Sequence, residues 1–298
     1  MRSLQAQISL HATVVVFGFT GVLGKLITLS AVPLVFWRTL IGAAGLYLWM
    51  LLRKGQRPIL SPKERLGIIG TGLLVAIHWV TFFGAIKAST VSLALAVMAT
   101  VPMFVAFIEP LIKRRRLDLR EVFLGLLAVG GLWWMYRVDV DYGYGMALAL
   151  VSAFCAALFG TLNSVWGQSV TSLAVSRIEL ISASVSLACW MAISGQWDGV
   201  VPSASDAGWL LLLGLVATSL AFAITVEVMK VLSPFTVAMA INLEPIYAIV
   251  LAIFIFGEEE IMPPGFYAGA AILISTVFLD AWLKRKRNVN RSAPVSRG

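Results

Sequence analysis

Apolar residues run along this chain in blocks of about 20, separated by short polar stretches that hold most of the charge, Pro and Gly. A helix of about 20 residues, rising ~1.5 Å per residue, crosses the ~30 Å hydrocarbon layer of a bilayer. Cutting the sequence at charges, Pro and Gly gives ten such blocks, at 9–29, 32–52, 66–86, 90–112, 119–138, 143–166, 174–194, 207–229, 233–256 and 264–283. The pattern therefore predicts an all-α integral membrane protein of ten transmembrane helices, with no residues to spare for a soluble domain. The longest connections, Arg53 to Arg65 and Gly195 to Asp206, carry the Pro, Gly, Ser and charge of turns. The tail 284–298 is basic, then Ser- and Pro-containing, and reads as a disordered cytoplasmic segment.

One block breaks the pattern. Ser233 to Glu258 is long enough to span, yet Asn242, Glu244 and Pro245 meet near its middle. A carboxylate and an amide at that depth are costly, and a mid-helix proline frees a carbonyl that something must satisfy. The segment is either the wall of a polar cavity or a kinked packing helix whose Glu244 meets a neighbour's polar group.

Composition agrees with the blocks. The 298 residues are 59% hydrophobic and 13% charged, with a mean hydropathy of +0.90, too little polar surface for a soluble globule. The net charge of +8 sits in short runs between apolar blocks and forms no basic face, which argues against a nucleic-acid partner. Its distribution sets orientation instead. With the N-terminus inside, 19 of the 23 Lys and Arg fall on the cytoplasmic side and Lys25, Lys87 and Arg137 on the outer side, with Arg38 inside a block. The outer loops collect Asp139, Asp141, Asp198, Asp206, Glu258, Glu259 and Glu260. Both termini are thus expected in the cytoplasm and the lipid bilayer is the first partner, with an inner (plasma) membrane location. The first block is too long for a cleavable signal peptide and is read as a retained helix. Cys155 and Cys189 lie inside apolar blocks and indicate neither a disulfide framework nor a metal site.

The chain repeats internally. A shift of 143 residues lays Lys87, Thr90, Pro102 and Phe104 over Lys230, Ser233, Pro245 and Tyr247. Phe17-Gly18 and Phe159-Gly160 mark the two halves similarly, while a rival register pairs Glu109-Pro110 with Glu244-Pro245. The first register matches helix ends with helix ends. It divides the chain into a five-helix unit at 1–140, a second at 141–283, and the tail. Because five is odd, the second unit must enter the membrane from the opposite side, an inverted repeat of the kind from which alternating access is built.

Phe17-Gly18-Phe19-Thr20, Phe36-Trp37-Arg38, Ala85-Ile86-Lys87-Ala88-Ser89, Leu232-Ser233-Pro234, Leu243-Glu244-Pro245 and Phe256-Gly257-Glu258, in this order and spacing, resemble the EamA-type members of the drug/metabolite transporter superfamily. The resemblance covers nearly the whole chain. It departs at Ile112-Lys113-Arg114-Arg115, where the family often has a Gly-Glu pair. What it implies is a secondary transporter, often an exporter, of small metabolites such as amino acids.

Depth along each block selects the candidate site residues. Trp37 and Arg38 lie toward the outer end of the second block, His78 and Trp79 in the outer half of the third, and Asn242 and Glu244 near the midplane of the ninth. Arg38 either receives a substrate carboxylate bidentately or snorkels to the outer interface. His78 titrates near physiological pH in its unperturbed state and serves either proton coupling or packing. Asn163 either lines the inner half of a pathway or bonds a neighbouring helix. Phe17, Trp79 and Tyr247 are deep enough to touch a substrate. Glu109 with Lys113, Glu227 with Lys230, and Arg177 with Glu179 read as interfacial anchors. Trp133, Trp134 and Tyr136 read as an aromatic belt.

Together these groups complement a small zwitterion, with its carboxylate toward Arg38, its ammonium toward Glu244 and its apolar part on Trp79. No glycine-rich loop precedes a phosphate-binding lysine, so ATP does not drive the process, and no cofactor is expected; a proton or another ion remains open as the coupling species. His11 and His78 stand far apart and no acids have metal-ligand spacing, which leaves a membrane enzyme without a catalytic constellation. A channel-like or structural subunit, or an exporter of hydrophobic drug-like cargo, fits the block count equally well. Substrate identity, direction, coupling ion and oligomeric state are not encoded in any motif.

Overall fold

The structure is a computed structural model that describes residues 3–52, 60–136, 142–197, 199–261 and 263–292, and these are almost wholly helical. In chain order the helices are α1 Ser3–Leu26, α2 Ala31–Leu52, α3 Pro62–Ala88, α4 Val91–Met98, α5 Val101–Lys113, α6 Leu119–Tyr136, α7 Gly143–Ser169 and α8 Ser172–Ser194. After α8 come α9 Ala204–Leu212, a π-helical stretch Leu213–Leu220, α10 Ala221–Val228, α11 Pro234–Ile241, α12 Glu244–Phe256 and α13 Pro264–Ser292. Seven units among the described residues are long and apolar enough to cross a membrane: α1, α2, α3, Val91–Lys113, α7, α8 and Ala204–Val228. Arg53, Lys54, Arg57, Arg137, Asp139, Asp141 and Asp198 lie outside the described residues, as do the side chains of Trp133 and Tyr136.

Three blocks that read as continuous are interrupted. The fourth breaks between α4 and α5, the ninth between α11 and α12, and the eighth widens into the π stretch. Pro102 and Pro245 each fall in the first turn of the helix that restarts, where a missing N–H breaks no intrahelical bond. Pro245 is therefore not the kink in a single helix that the sequence pattern implies. A second departure is the tail, because α13 runs on to Ser292 rather than ending near 283. Lys and Arg are good helix formers, their charges suit a helix C-terminus, and no proline intervenes before Pro294.

The 143-residue register is written into the helix ends. Adding 143 to the limits of α4 and α5 gives the limits of α11 and α12 residue for residue. Their N-caps correspond as well: the Thr90 hydroxyl accepts from the Leu93 N–H at 3.0 Å and the Ser233 hydroxyl from the Thr236 N–H at 3.2 Å. At the far ends Arg114 and Gly257, again 143 apart, both take positive φ, 51° and 64°. Arg114 thus terminates its helix in the left-handed conformation, at a cost of about 1–2 kcal/mol, where the second copy has a glycine at positive φ but with ψ of −132°. Beyond it Arg115 reaches Glu109 at 3.2 Å and Glu121 at 2.6 Å, and Lys113 reaches Glu109 at 3.3 Å. The departure at Ile112-Lys113-Arg114-Arg115 therefore replaces a glycine cap by a cap held in an ion-pair network.

Counterpart helices also meet each other. α2 packs on α8, α6 on α13, α4 on α12 and α5 on α11, so the contacts between the halves are reciprocal under the 143-residue shift. The largest buried cluster, with Phe83, Leu34, Leu46 and Leu180 fully enclosed, joins α1, α2, α3 and α4 to α8, α9, α10 and α12. The remaining clusters flank the space enclosed between the two halves.

Candidate functional site

Between the halves lies a cavity of ≈ 130 Å³, walled mainly by apolar side chains. Seven of the nine residues singled out in the sequence line it: Phe17, Arg38, His78, Trp79, Asn163, Asn242 and Glu244.

Arg38 is 2% exposed, which sets aside the interfacial alternative. Its Nε donates to Thr218 Oγ1 at 2.8 Å, and its guanidinium carbon stands 3.9 Å from the centre of the Trp79 ring and 5.3 Å from that of Phe83. The π stretch makes the first contact possible. Its widened turn lets Thr218 and Ser219 bond to carbonyls five residues back, at Leu213 and Gly214, while both face α2. Ser219 then donates to the Gly42 carbonyl of α2 at 2.8 Å. The close approach needs glycine, since a Cβ on Gly42 would stand 2.9 Å from the Thr218 methyl. Such π segments recur where function requires a side chain out of regular phase.

Glu244 is the opposite charge that acts on Arg38 in this cavity, and Thr20, whose hydroxyl donates to the Phe17 carbonyl at 2.7 Å, stands beside its carboxyl. It occupies the first turn of α12, so the break after α11 turns a helix N-terminus, with its partial positive charge, onto a carboxylate at membrane depth. Asn242, in the break itself, donates through Nδ2 to the Ala99 carbonyl at 2.9 Å. In an unbroken helix the Met103 N–H would take that carbonyl, but here it bonds Thr100 O at 3.0 Å. Ala99 and Asn242 are 143 residues apart, so one break satisfies the other at the equivalent position of the repeat.

His78 belongs to the same wall and is held from α7. Its Nδ1 lies 3.0 Å from the Ser152 carbonyl and 2.8 Å from Ser152 Oγ, and that hydroxyl donates to the His78 carbonyl at 2.9 Å. The carbonyl requires a proton on Nδ1, which fixes the tautomer. Phe82 stacks on the imidazole at 6.3 Å and Phe159 tilts against it at 5.2 Å.

The sequence matches the EamA-like transporter family over residues 5–137 and again over 143–281. The chain belongs to the EamA-like transporter family. It is 22% identical over 255 residues, 83% of its own length and 80% of the relative's, to the Bacillus subtilis (strain 168) protein named "Uncharacterized transporter YxxF". A solved structure titled "Crystal structure of protein", 14% identical, superposes with a TM-score of 0.73 over 96% of this chain and 99% of the other, which establishes a shared fold. The protein is thus a multi-pass membrane transporter built from two EamA repeats.

Two residues expected in the transporter's site are elsewhere. Trp37 turns away and donates its Nε1–H to the Val200 carbonyl at 2.7 Å. Tyr247 is 43% exposed, with its Cβ packed on Gly18. Trp37 is one helical step out of phase with the lining residue Arg38, and Tyr247, three residues beyond Glu244, is taken up by packing on Gly18, so depth alone could not place them. Trp79 has a different part from the one expected, since the Arg38 guanidinium lies over the indole. Phe159 and Phe222 supply apolar wall beside it, with Phe222 edge-on to Trp79 at 5.6 Å. Glu179 is the largest correction. It is fully buried rather than an interfacial anchor, and Asn163 Nδ2 donates to its Oε2 at 3.3 Å.

At the end of the bundle near Ile27 and Ala88, polar groups fasten the halves together. Asp206, 1% exposed, accepts from the Thr28 N–H at 2.7 Å and hydroxyl at 2.6 Å, and the Lys87 ammonium donates to the Ile27 carbonyl. The cavity lies below this layer and continues past Asn163 and Thr225 to Met229 and Pro234.

Proposed function

We propose that this EamA transporter is a secondary carrier of a small zwitterion, an amino acid or close derivative, working by alternating access in the inner (plasma) membrane. The observation that supports it is a pair of opposite charges, the buried Arg38 and the half-buried Glu244, that line one largely apolar cavity between two repeats. A guanidinium suits a carboxylate, a carboxylate suits an ammonium, and Phe159 with Phe222 suits the apolar part of the substrate. The indole of Trp79 holds the guanidinium from behind through its π face.

Architecture extends the proposal. Ten spans in two inverted five-helix units, 1–140 and 141–283, with both termini cytoplasmic, agree with the reciprocal helix pairing and with the charge distribution. In this orientation the layer of Thr28, Lys87 and Asp206 closes the outer end, and the cavity runs toward the cytoplasm. Loading from inside accords with export, a direction that rests on family resemblance. Cysteines introduced at Ser203 and Ser61 should be labelled by an impermeant maleimide from outside and from inside, respectively; labelling of both from one face would break the ten-span topology.

Reconstitution tests the function. Proteoliposomes loaded with an unlabelled amino acid should show saturable, protein-dependent counterflow of the labelled one, whereas its neutral amide analogue should be carried poorly. Flux that neither saturates nor shows counterflow would replace the carrier by a channel. Equal transport of the amide would remove carboxylate recognition.

A further inference from the structure

The cavity adjoins a second buried carboxylate that the substrate reading does not use. Glu179 is 0% exposed on α8, and among the described residues its single polar partner is the Asn163 amide of α7. Two atoms of this pair are left over. Asn163 Oδ1 and Glu179 Oε1 are both buried and both lack a hydrogen-bond partner. They are two acceptors on two groups already joined by the Nδ2 to Oε2 bond.

An ionised carboxylate here would be enclosed without a cation, an arrangement that costs several kcal/mol. The helices packed on α8 offer no compensation. Arg38 on α2 is engaged by Thr218, Trp79 and Glu244, His78 on α3 by Ser152, and Glu227 on α10 by Lys230 at 2.8 Å. Cys155 on α7 is a neutral thiol under ordinary conditions. Arg177, two residues away on α8, has its Nε buried without a hydrogen-bond partner, and no ion pair joins it to Glu179 among the described residues. A single proton on Glu179 Oε1 removes both mismatches of the acid and amide, while Ser176 Oγ and Arg177 Nε nearby on α8 keep theirs. The charge disappears, the new O–H gains an acceptor in Asn163 Oδ1, and the acid and amide close a ring of two hydrogen bonds.

We propose that Glu179 is the proton-binding site of this transporter, held with Asn163 as an acid-amide pair and distinct from the Arg38 and Glu244 site. Asn163 lines the cavity, so the pair is reached from the space that the substrate enters. One O–H bond forms when Glu179 takes a proton from water on one side of the membrane, and it breaks when that proton passes to water on the other. Nothing is oxidised or reduced. The coupling role rests on the carrier reading above; the proton site does not.

Two measurements on Glu179→Gln separate these statements. Infrared spectra of the purified protein in lipid should contain a protonated-carboxyl band at neutral pH. That band should vanish in Glu179→Gln and move in Asn163→Ala, where the acid loses its acceptor. A Glu179→Gln spectrum identical to the parent's would overturn the site, as would an unmoved band in Asn163→Ala. In proteoliposomes Glu179→Gln should keep amino-acid counterflow within about twofold while losing the roughly tenfold accumulation that one coupled proton supports per pH unit. Retention of pH-driven accumulation would overturn the coupling role. If the parent shows no counterflow of any amino acid, the carrier reading fails, and the infrared result still decides whether Glu179 holds the proton.

Discussion

Glu244→Gln is expected to change what the transporter accepts more than whether it folds. Glutamine keeps the volume and the place beside Thr20, but it offers an ammonium no charge. Removing the carboxylate that faces a desolvated substrate ammonium costs about 2–5 kcal/mol, so apparent affinity for a zwitterion should fall by roughly 30-fold or more. Arg38 then remains in the cavity without its counter-charge. A simple carboxylate, the same molecule without its amino group, should bind the variant better relative to the zwitterion than it binds the parent. Competition assays that compare an amino acid with its des-amino analogue read this ratio directly. A packing role for Glu244 would leave the ratio unchanged and show itself only as a lower Tm. Thr20→Val, which removes the hydroxyl and leaves the carboxylate, should shift the ratio in the same direction by a smaller amount and protects the test if Glu244→Gln folds poorly.

The fold was legible to the extent that hydrophobic blocks and repeats record it. Block boundaries located nearly every helix, and the offset of 143 residues found from four scattered pairs proves to be the offset of helix ends, caps and positive-φ terminators. What the sequence concealed was phase. A lipid-embedded helix can be apolar on all sides, so no polar face marks which residues look inward. Trp37 and Arg38 are adjacent and equally deep, yet one bonds a loop carbonyl and the other enters the cavity. Glu179 lay near the start of a block and resembled an anchor for the same reason, since depth in sequence says nothing about enclosure by α2 and α3. The helix breaks were half visible. Pro102 and Pro245 announced them, but that Asn242 would repair the break at Ala99 is a contact between repeats that no single segment encodes. The π stretch carries no signal beyond Thr218 and Ser219 standing side by side in an apolar block.

Arg38→Lys should uncouple charge from geometry in the site. Lysine keeps one positive charge at this position but loses the planar fork that holds a carboxylate through two parallel bonds. It also loses what positions that fork: the Nε to Thr218 bond at 2.8 Å and the stacking over Trp79 at 3.9 Å, neither of which an ammonium on a flexible stem reproduces. A hydrogen bond to a charged group is worth about 1.5–3 kcal/mol, so the apparent affinity for an amino acid should fall by roughly 10- to 150-fold. Affinity for the neutral amide analogue, which uses no second bond, should change little. Measured with full saturation curves, the effect should fall on the concentration dependence of counterflow, while the residual site still faces Glu244. Stability should fall as well, because an ammonium placed in this apolar wall is more strongly hydrated than a guanidinium and has fewer partners. Thr218→Val separates the two losses: it leaves the fork intact and unsupported, so it should weaken amino-acid binding less than Arg38→Lys and leave discrimination against the amide in place. Equal effects of both variants on acid and amide would mean that Arg38 braces α2 against the π stretch and takes no part in recognising substrate.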